Sequence, residues 1–137
     1  VGKTATASDD FYGFWVADNA IDGSLDTHWQ TAAGVSGPHW LTVDLGVPAS
    51  ISSVTSHFTA YTVPTDYSLQ FSNTCDFSGT GLQAPFSVSI TENTDDTPTV
   101  TLDTPIKARC VRITIESPSA STDFFRIGEF EIMGDMP

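Results

Sequence analysis

Two short stretches near opposite ends of the chain carry oxygen donors in a pattern that suits a hard cation. The first, Asn19-Ala20-Ile21-Asp22-Gly23-Ser24-Leu25-Asp26-Thr27-His28-Trp29, reads as a turn with a carboxylate at Asp22 and a hydroxyl at Thr27. The second, Arg126-Ile127-Gly128-Glu129-Phe130-Glu131-Ile132, reads as a strand that carries an acid at Glu129. Calcium is held by about six to eight oxygens from carboxylates, carbonyls and hydroxyls, and a loop and a distant strand can supply them jointly. Such an ion would pin the N-terminal loop to the C-terminal strand.

A second chemistry is carried by aromatic residues. Phe11, Tyr12, Phe14 and Trp15 put four rings into five positions, interrupted by Gly13 and preceded by Asp9 and Asp10. One core cannot easily absorb four rings so close together. Trp15 and Tyr12 are therefore candidate platforms for the apolar C–H face of a sugar ring, with neighbouring polar groups to fix its hydroxyls. Catalysis is not expected. No GxSxG nucleophile elbow occurs, and nothing sets two acids across a cleft as glycoside hydrolysis requires.

These groups need a frame, and composition bounds it. The 137 residues suit one domain over the whole of 1–137, and 39% hydrophobic content is enough for a core. No apolar run approaches the roughly 18 residues of a membrane helix. Five Lys and Arg against 17 Asp and Glu give a net charge of -12. That balance argues against nucleic acid or anionic lipid as partner and permits a cation or a cationic polymer, and it equally suits the solubilising surface of an extracellular protein. Cys75 and Cys110 provide neither a zinc quartet nor a CxxC pair. They are one disulfide, implying an oxidising compartment, or two buried thiols. Cys75 at a strand end and Cys110 within a strand favour the disulfide.

Helical periodicity is almost absent. Short alternating or β-branched runs cover residues 40–45, 51–57, 67–71, 86–90, 99–102, 110–115 and 127–133, with turn clusters between them. This pattern predicts an all-β fold, a β-sandwich or jelly roll. Trp40 opens an alternating strand and is expected in the core rather than in a binding site.

Five blocks then carry a family resemblance: Ala20-Ile21-Asp22-Gly23 with Thr27-His28-Trp29; Trp40-Leu41-Thr42-Val43-Asp44-Leu45-Gly46; Tyr67-Ser68-Leu69-Gln70-Phe71-Ser72; Ala108-Arg109-Cys110-Val111-Arg112-Ile113; and Gly128-Glu129-Phe130-Glu131-Ile132. In order and spacing the chain resembles the discoidin, or coagulation-factor type C, domain, and more narrowly the carbohydrate-binding modules of family 32. The resemblance implies a jelly-roll β-sandwich with a structural calcium and a sugar site on loops at one end. The implied calcium shell is the Asn19 carbonyl, the Asp22 carboxylate, the Ser24 carbonyl, the Thr27 carbonyl and hydroxyl, the Gly128 carbonyl and the Glu129 carboxylate. Trp29, Trp40, Asp44 and Arg112 match structural positions.

For the sugar, the resemblance points to His39, Gln30 and the pair Phe124 and Phe125, beside His57 and Tyr61 after the strand from Ile51. Galactose-binding members often carry an arginine near His57, whereas this chain has no Lys or Arg between Lys3 and Lys107. The function implied is non-catalytic binding of a mono-, oligo- or polysaccharide by a monomeric, secreted module. Such a module would target a parent enzyme, a glycoside hydrolase or polysaccharide lyase, in a larger extracellular protein. Two other readings are a discoidin-type adhesion or protein-interaction domain, and a module for a cationic amino-sugar polymer attracted by Asp9, Asp10 and Asp66.

Overall fold

The computed structural model of the protein describes residues 4–7, 16–21, 27–30, 39–58, 66–75, 86–91, 97–115 and 126–135. Their elements are strand β1 (Thr4–Ala7), a 3-10 turn (Ala17–Ala20), and strands β2 (Trp29–Gln30), β3 (His39–Phe58), β4 (Tyr67–Ser72), β5 (Phe86–Ile90), β6 (Thr99–Ile115) and β7 (Arg126–Asp135). Every pairing is antiparallel.

Two long strands build both layers of a β-sandwich. The first half of β3, through Asp44, pairs with β1 and with the Cys110–Ile115 half of β6, which continues to β4 and β5. The second half of β3, from Ala49, pairs with β7 and with the first half of β6, and β7 carries β2. The register slips between Asp44 and Ala49, and again between Ile51 and Ser53. The first slip puts the extra residues on β3 around Gly46, whose φ of 85° lies in the left-handed region. The second puts them on β6 around Pro105. Extra residues of this kind let one strand turn a corner from sheet to sheet.

The sequence puts a turn at Gly46-Val47-Pro48 and ends one run at 102 before the next begins at 110. The chain instead runs through them, so the runs 40–45 and 51–57 are one strand, as are 99–102 and 110–115. The alternation within each run still decides what is buried. Leu41, Val43, Leu69, Val111 and Ile113 of one sheet meet Ile51, Val54, Ile127 and Trp29 of the other, all with no more than 1% exposure. Trp40 departs from expectation. Its neighbours Leu41 and Val43 face inward, so the period of two turns Trp40 to the outer face, where it is half-buried under Arg112.

Candidate functional site

The register brings one set of strand ends together. His39 at the start of β3 pairs with Ile115 at the end of β6, Ile115 with Tyr67, and Tyr67 with Ile90. Ala7 pairs with Leu41, so β1 runs toward the same end. In the other sheet Gln30 pairs with Arg126, His57 with Glu129 and Phe58 with Ile127, while Thr55 pairs with Thr99. Each of the segments 31–38, 59–65, 92–96 and 116–125 thus leaves and re-enters described strands at one end of the sandwich. Residues 8–15 follow β1 in sequence. None of these segments contains Lys or Arg, whereas they hold Asp9, Asp10, Glu92, Asp95, Asp96, Glu116 and Asp123. Lys107 and Arg109 stand toward the opposite end, where β6 pairs Ala108 with Ala49.

Of the candidate sugar contacts, His39, Gln30 and His57 are described, and all three belong to this end. His39 and Gln30 are each only 4% exposed. His28 Nε2 lies 3.4 Å from Gln30 Oε1. The His57 side chain is more open, and its Nε2 stands 3.1 Å from Glu131 Oε1 but off the line a hydrogen bond needs. Tyr12, Trp15, Tyr61, Phe124 and Phe125 lie outside the described residues.

The candidate cation site is partly visible. Asn19, Thr27, Gly128 and Glu129 are described, and Asp22 and Ser24 are outside the described residues. The 3-10 turn packs against β1, β2 and β7, and Ile21 and Glu129 line one small cavity of about 190 Å³. Within the turn the amides of Asn19 and Ile21 donate to the carbonyls of Val16 and Asp18. The Asn19 side-chain amide donates to the His28 carbonyl at 3.1 Å, closing the loop. Glu129 is 8% exposed. A carboxylate so far from water is costly unless compensated. The described candidates, Asn19, Thr27, Gly128 and Glu129, offer oxygens of the type calcium takes.

At the opposite end a different arrangement is complete. Arg109 Nε and Nη2 donate to Asp44 Oδ1 and Oδ2 at 2.9 and 3.1 Å, a bidentate pair, and the Gly46 amide donates to Oδ1 at 2.8 Å. The guanidinium beside it, and then the Gly46 amide, hold the Asp44 carboxyl below the usual carboxylate range, and the same pairing raises Arg109. Cys75 and Cys110 are joined in a disulfide, with Cα atoms 5.2 Å apart. Asp44 and the two sulfurs gather within 4.8 Å of one another. The sulfurs are spent on each other and the carboxylate on Arg109, so the cluster is a structural clamp. On the outer face Arg112 stacks 4.1 Å above the Trp40 ring and donates from Nε to Thr42 Oγ1 at 2.8 Å. Burial of that guanidinium lowers its pKa.

The Phe86 ring is one feature the candidate residues omit. The alternation Phe86-Ser87-Val88-Ser89-Ile90 signals its face, but only the edge position of β5 leaves it open.

Comparison with known proteins agrees with this architecture. Chitosan-binding module 1 from a chitosanase/glucanase of Paenibacillus sp. IK-5 superposes with a TM-score of 0.83 at 27% identity, over 98% of this chain and 96% of that one. Module 2 of the same enzyme, solved with chitotriose, gives 0.82 at 28% identity, over 98% of each chain. The family 32 carbohydrate-binding module of C. perfringens NanJ, solved with galactose, gives 0.75 at 28% identity, over 96% and 93%. Among curated proteins there is no significant match. The family model for the F5/8 type C domain matches residues 4–130. With its two-layer antiparallel sandwich and a match spanning nearly its whole length, the chain belongs to the F5/8 type C, or discoidin, family.

Proposed function

We propose that this domain is a non-catalytic carbohydrate-binding module whose ligand docks at the acidic loop end. The observation that carries the reading is the likeness, at 28% identity over almost the full chain, to modules solved with chitotriose and with galactose. The placement of the described candidates His39, Gln30 and His57 at one end supports it. His57 would offer its ring edge there, His39 and Gln30 a polar edge each, and Tyr12, Trp15, Tyr61, Phe124 and Phe125 the aromatic surface.

Within that class we favour a cationic glucosamine polymer. The net charge of -12, with Arg126 at the start of β7 as the one basic residue among the described strand ends there, suits an ammonium-bearing chain. A structural calcium at Asn19, Asp22, Ser24, Thr27, Gly128 and Glu129 would tie the 3-10 turn to β7, supplying a positive centre for the buried Glu129 carboxylate. The disulfide suits an extracellular setting. Weak binding of this kind would serve a parent enzyme by raising its local concentration on a polysaccharide.

The test is calorimetric titration with chitotriose, galactose and a neutral glucan. Chitotriose is expected to bind most tightly, and His39→Ala and Phe124→Ala to weaken it roughly tenfold each, a change of about 1.4 kcal/mol. Two variants that melt normally and bind like the parent would place the ligand elsewhere.

A further inference from the structure

β5 pairs only with β4, and the first half of β6 only with β3, among the described residues. Both are therefore sheet edges, and the sandwich is open along this flank. A groove of about 410 Å³ runs between them, floored by side chains such as Val88, Leu102 and Ile106. Phe86 stands at its side. It is the one exposed aromatic among the described residues, 46% open, and packs against the buried Phe71 with ring centroids 6.0 Å apart. The ring is thus braced from within and available from without. Asp103, Thr101 and Thr104 complete the lining. Among the described residues Asp103 is exposed, is the only charged one lining the groove, and has no ion pair or hydrogen bond.

We propose that this groove is a second saccharide-binding site, taking an amino-sugar unit of the same polymer whose other units occupy the loop end. A braced, half-open ring and an apolar floor fit the C–H face of a pyranose. Two hydroxyls and one carboxylate at the rim fit its hydroxyls and ammonium group. An uncompensated acid in a chain of net charge -12 complements a cation and repels an anionic partner. Phe86 lies four positions along β5 from Ile90 at the loop end, about 13 Å at the usual rise per residue. A chain of several sugars can therefore touch both sites, and the second contact adds avidity without strengthening either site. The site depends on the saccharide reading for its ligand class, but not on the loop end being occupied.

The experiment is a nuclear magnetic resonance titration of the labelled domain with the trimer and the hexamer of glucosamine. The hexamer is expected to shift the amides of Val88, Leu102 and Asp103 together with those of His39 and His57. It should also bind several-fold more tightly than the trimer. Phe86→Ala and Asp103→Asn should each erase the groove shifts and weaken hexamer binding about tenfold, leaving the loop-end shifts in place. Asp103→Asn removes charge without removing packing, so the result does not hinge on whether Phe86→Ala folds. Groove amides that stay still while the loop end saturates would overturn the proposal and leave the loop-end reading standing. Shifts confined to the groove would do the reverse, and silence at both would end both. Groove shifts that follow protein concentration without sugar would mean a second copy of the chain is the occupant, which also overturns it.

Discussion

Asp44 ties a corner of the sandwich through one carboxylate, bound by the Arg109 guanidinium and the Gly46 amide. A carboxyl whose folded pKa lies below its unfolded value of about 3.9 stabilises the fold above that value. The contribution is lost as pH falls through the lower folded value. The native domain should therefore weaken in acid below about pH 4, and Asp44→Asn should be less stable at neutral pH but lose less on acidification. The effect is modest, because the Arg109 side chain is 45% exposed and solvent screens the pair. Melting curves across the acid range check it, and parallel curves for the two proteins would refute it. Arg112 differs in kind. Its guanidinium lies over Trp40 and against Thr42, so it contributes packing as well as charge, and a lysine could not reproduce the planar stack.

Elements rather than residues decide how the two sheets are joined. β3 and β6 turn their corners with extra residues, and β7 closes on the second half of β3 with Ile51 opposite Gly134. A Cβ at Gly134 would run into the Ser50 carbonyl and the Ile51 Cα, both backbone atoms that cannot rotate away. Gly134→Ala should therefore cost about 1–3 kcal/mol or more, the usual price of overpacking, readable by denaturant unfolding. The 3-10 turn and β7 meet at Glu129, and a calcium ion bound there would stabilise the native state by mass action. Chelator is expected to lower the melting temperature of the parent by several degrees and to leave Asp22→Ala unmoved. Identical melting of the parent with and without chelator would remove calcium from the account.

At the scale of the whole molecule, the disulfide spans a sequence separation of 35 and joins the segment after β4 to the middle of β6. In the chain-entropy model a closed loop of that length restricts the unfolded chain enough to add about 4 kcal/mol. A domain of 137 residues has few such margins to lose. Cys75→Ser with Cys110→Ser should therefore lower the denaturation midpoint strongly while leaving the native sheet intact. A midpoint equal to the parent's would show that the bond adds nothing. Charge is also organised at this scale. Acid-rich segments free of Lys and Arg adjoin the described strand ends at one end, which also carries Arg126 at the start of β7, while Lys107 and Arg109 stand toward the other.

Much of this was legible in the chain itself. The runs 40–45, 67–71 and 110–115 were read as strands and are strands, because a strand's side chains change face at every step and only one face is buried. The five blocks around Asp22, Asp44, Leu69, Arg109 and Glu129 together were enough to recognise the family, since each is a local stretch with its own composition. What only tertiary structure decided is what depends on partners far apart in sequence. Gly46 reads as a stop, and residues 103–109 as a gap between two runs, because local signals cannot tell a turn that ends a strand from a corner that bends one; pairing across β3, β6 and β7 makes the difference. Trp40 read as core because its size outweighed its parity, yet Leu41 and Val43 take the inner face and leave it to Arg112. Phe86 had the alternation of a core residue and became an open ring because no strand pairs beyond β5 among the described residues. Burial is a property of neighbours, and for Trp40 and Phe86 the deciding neighbours are brought by the fold.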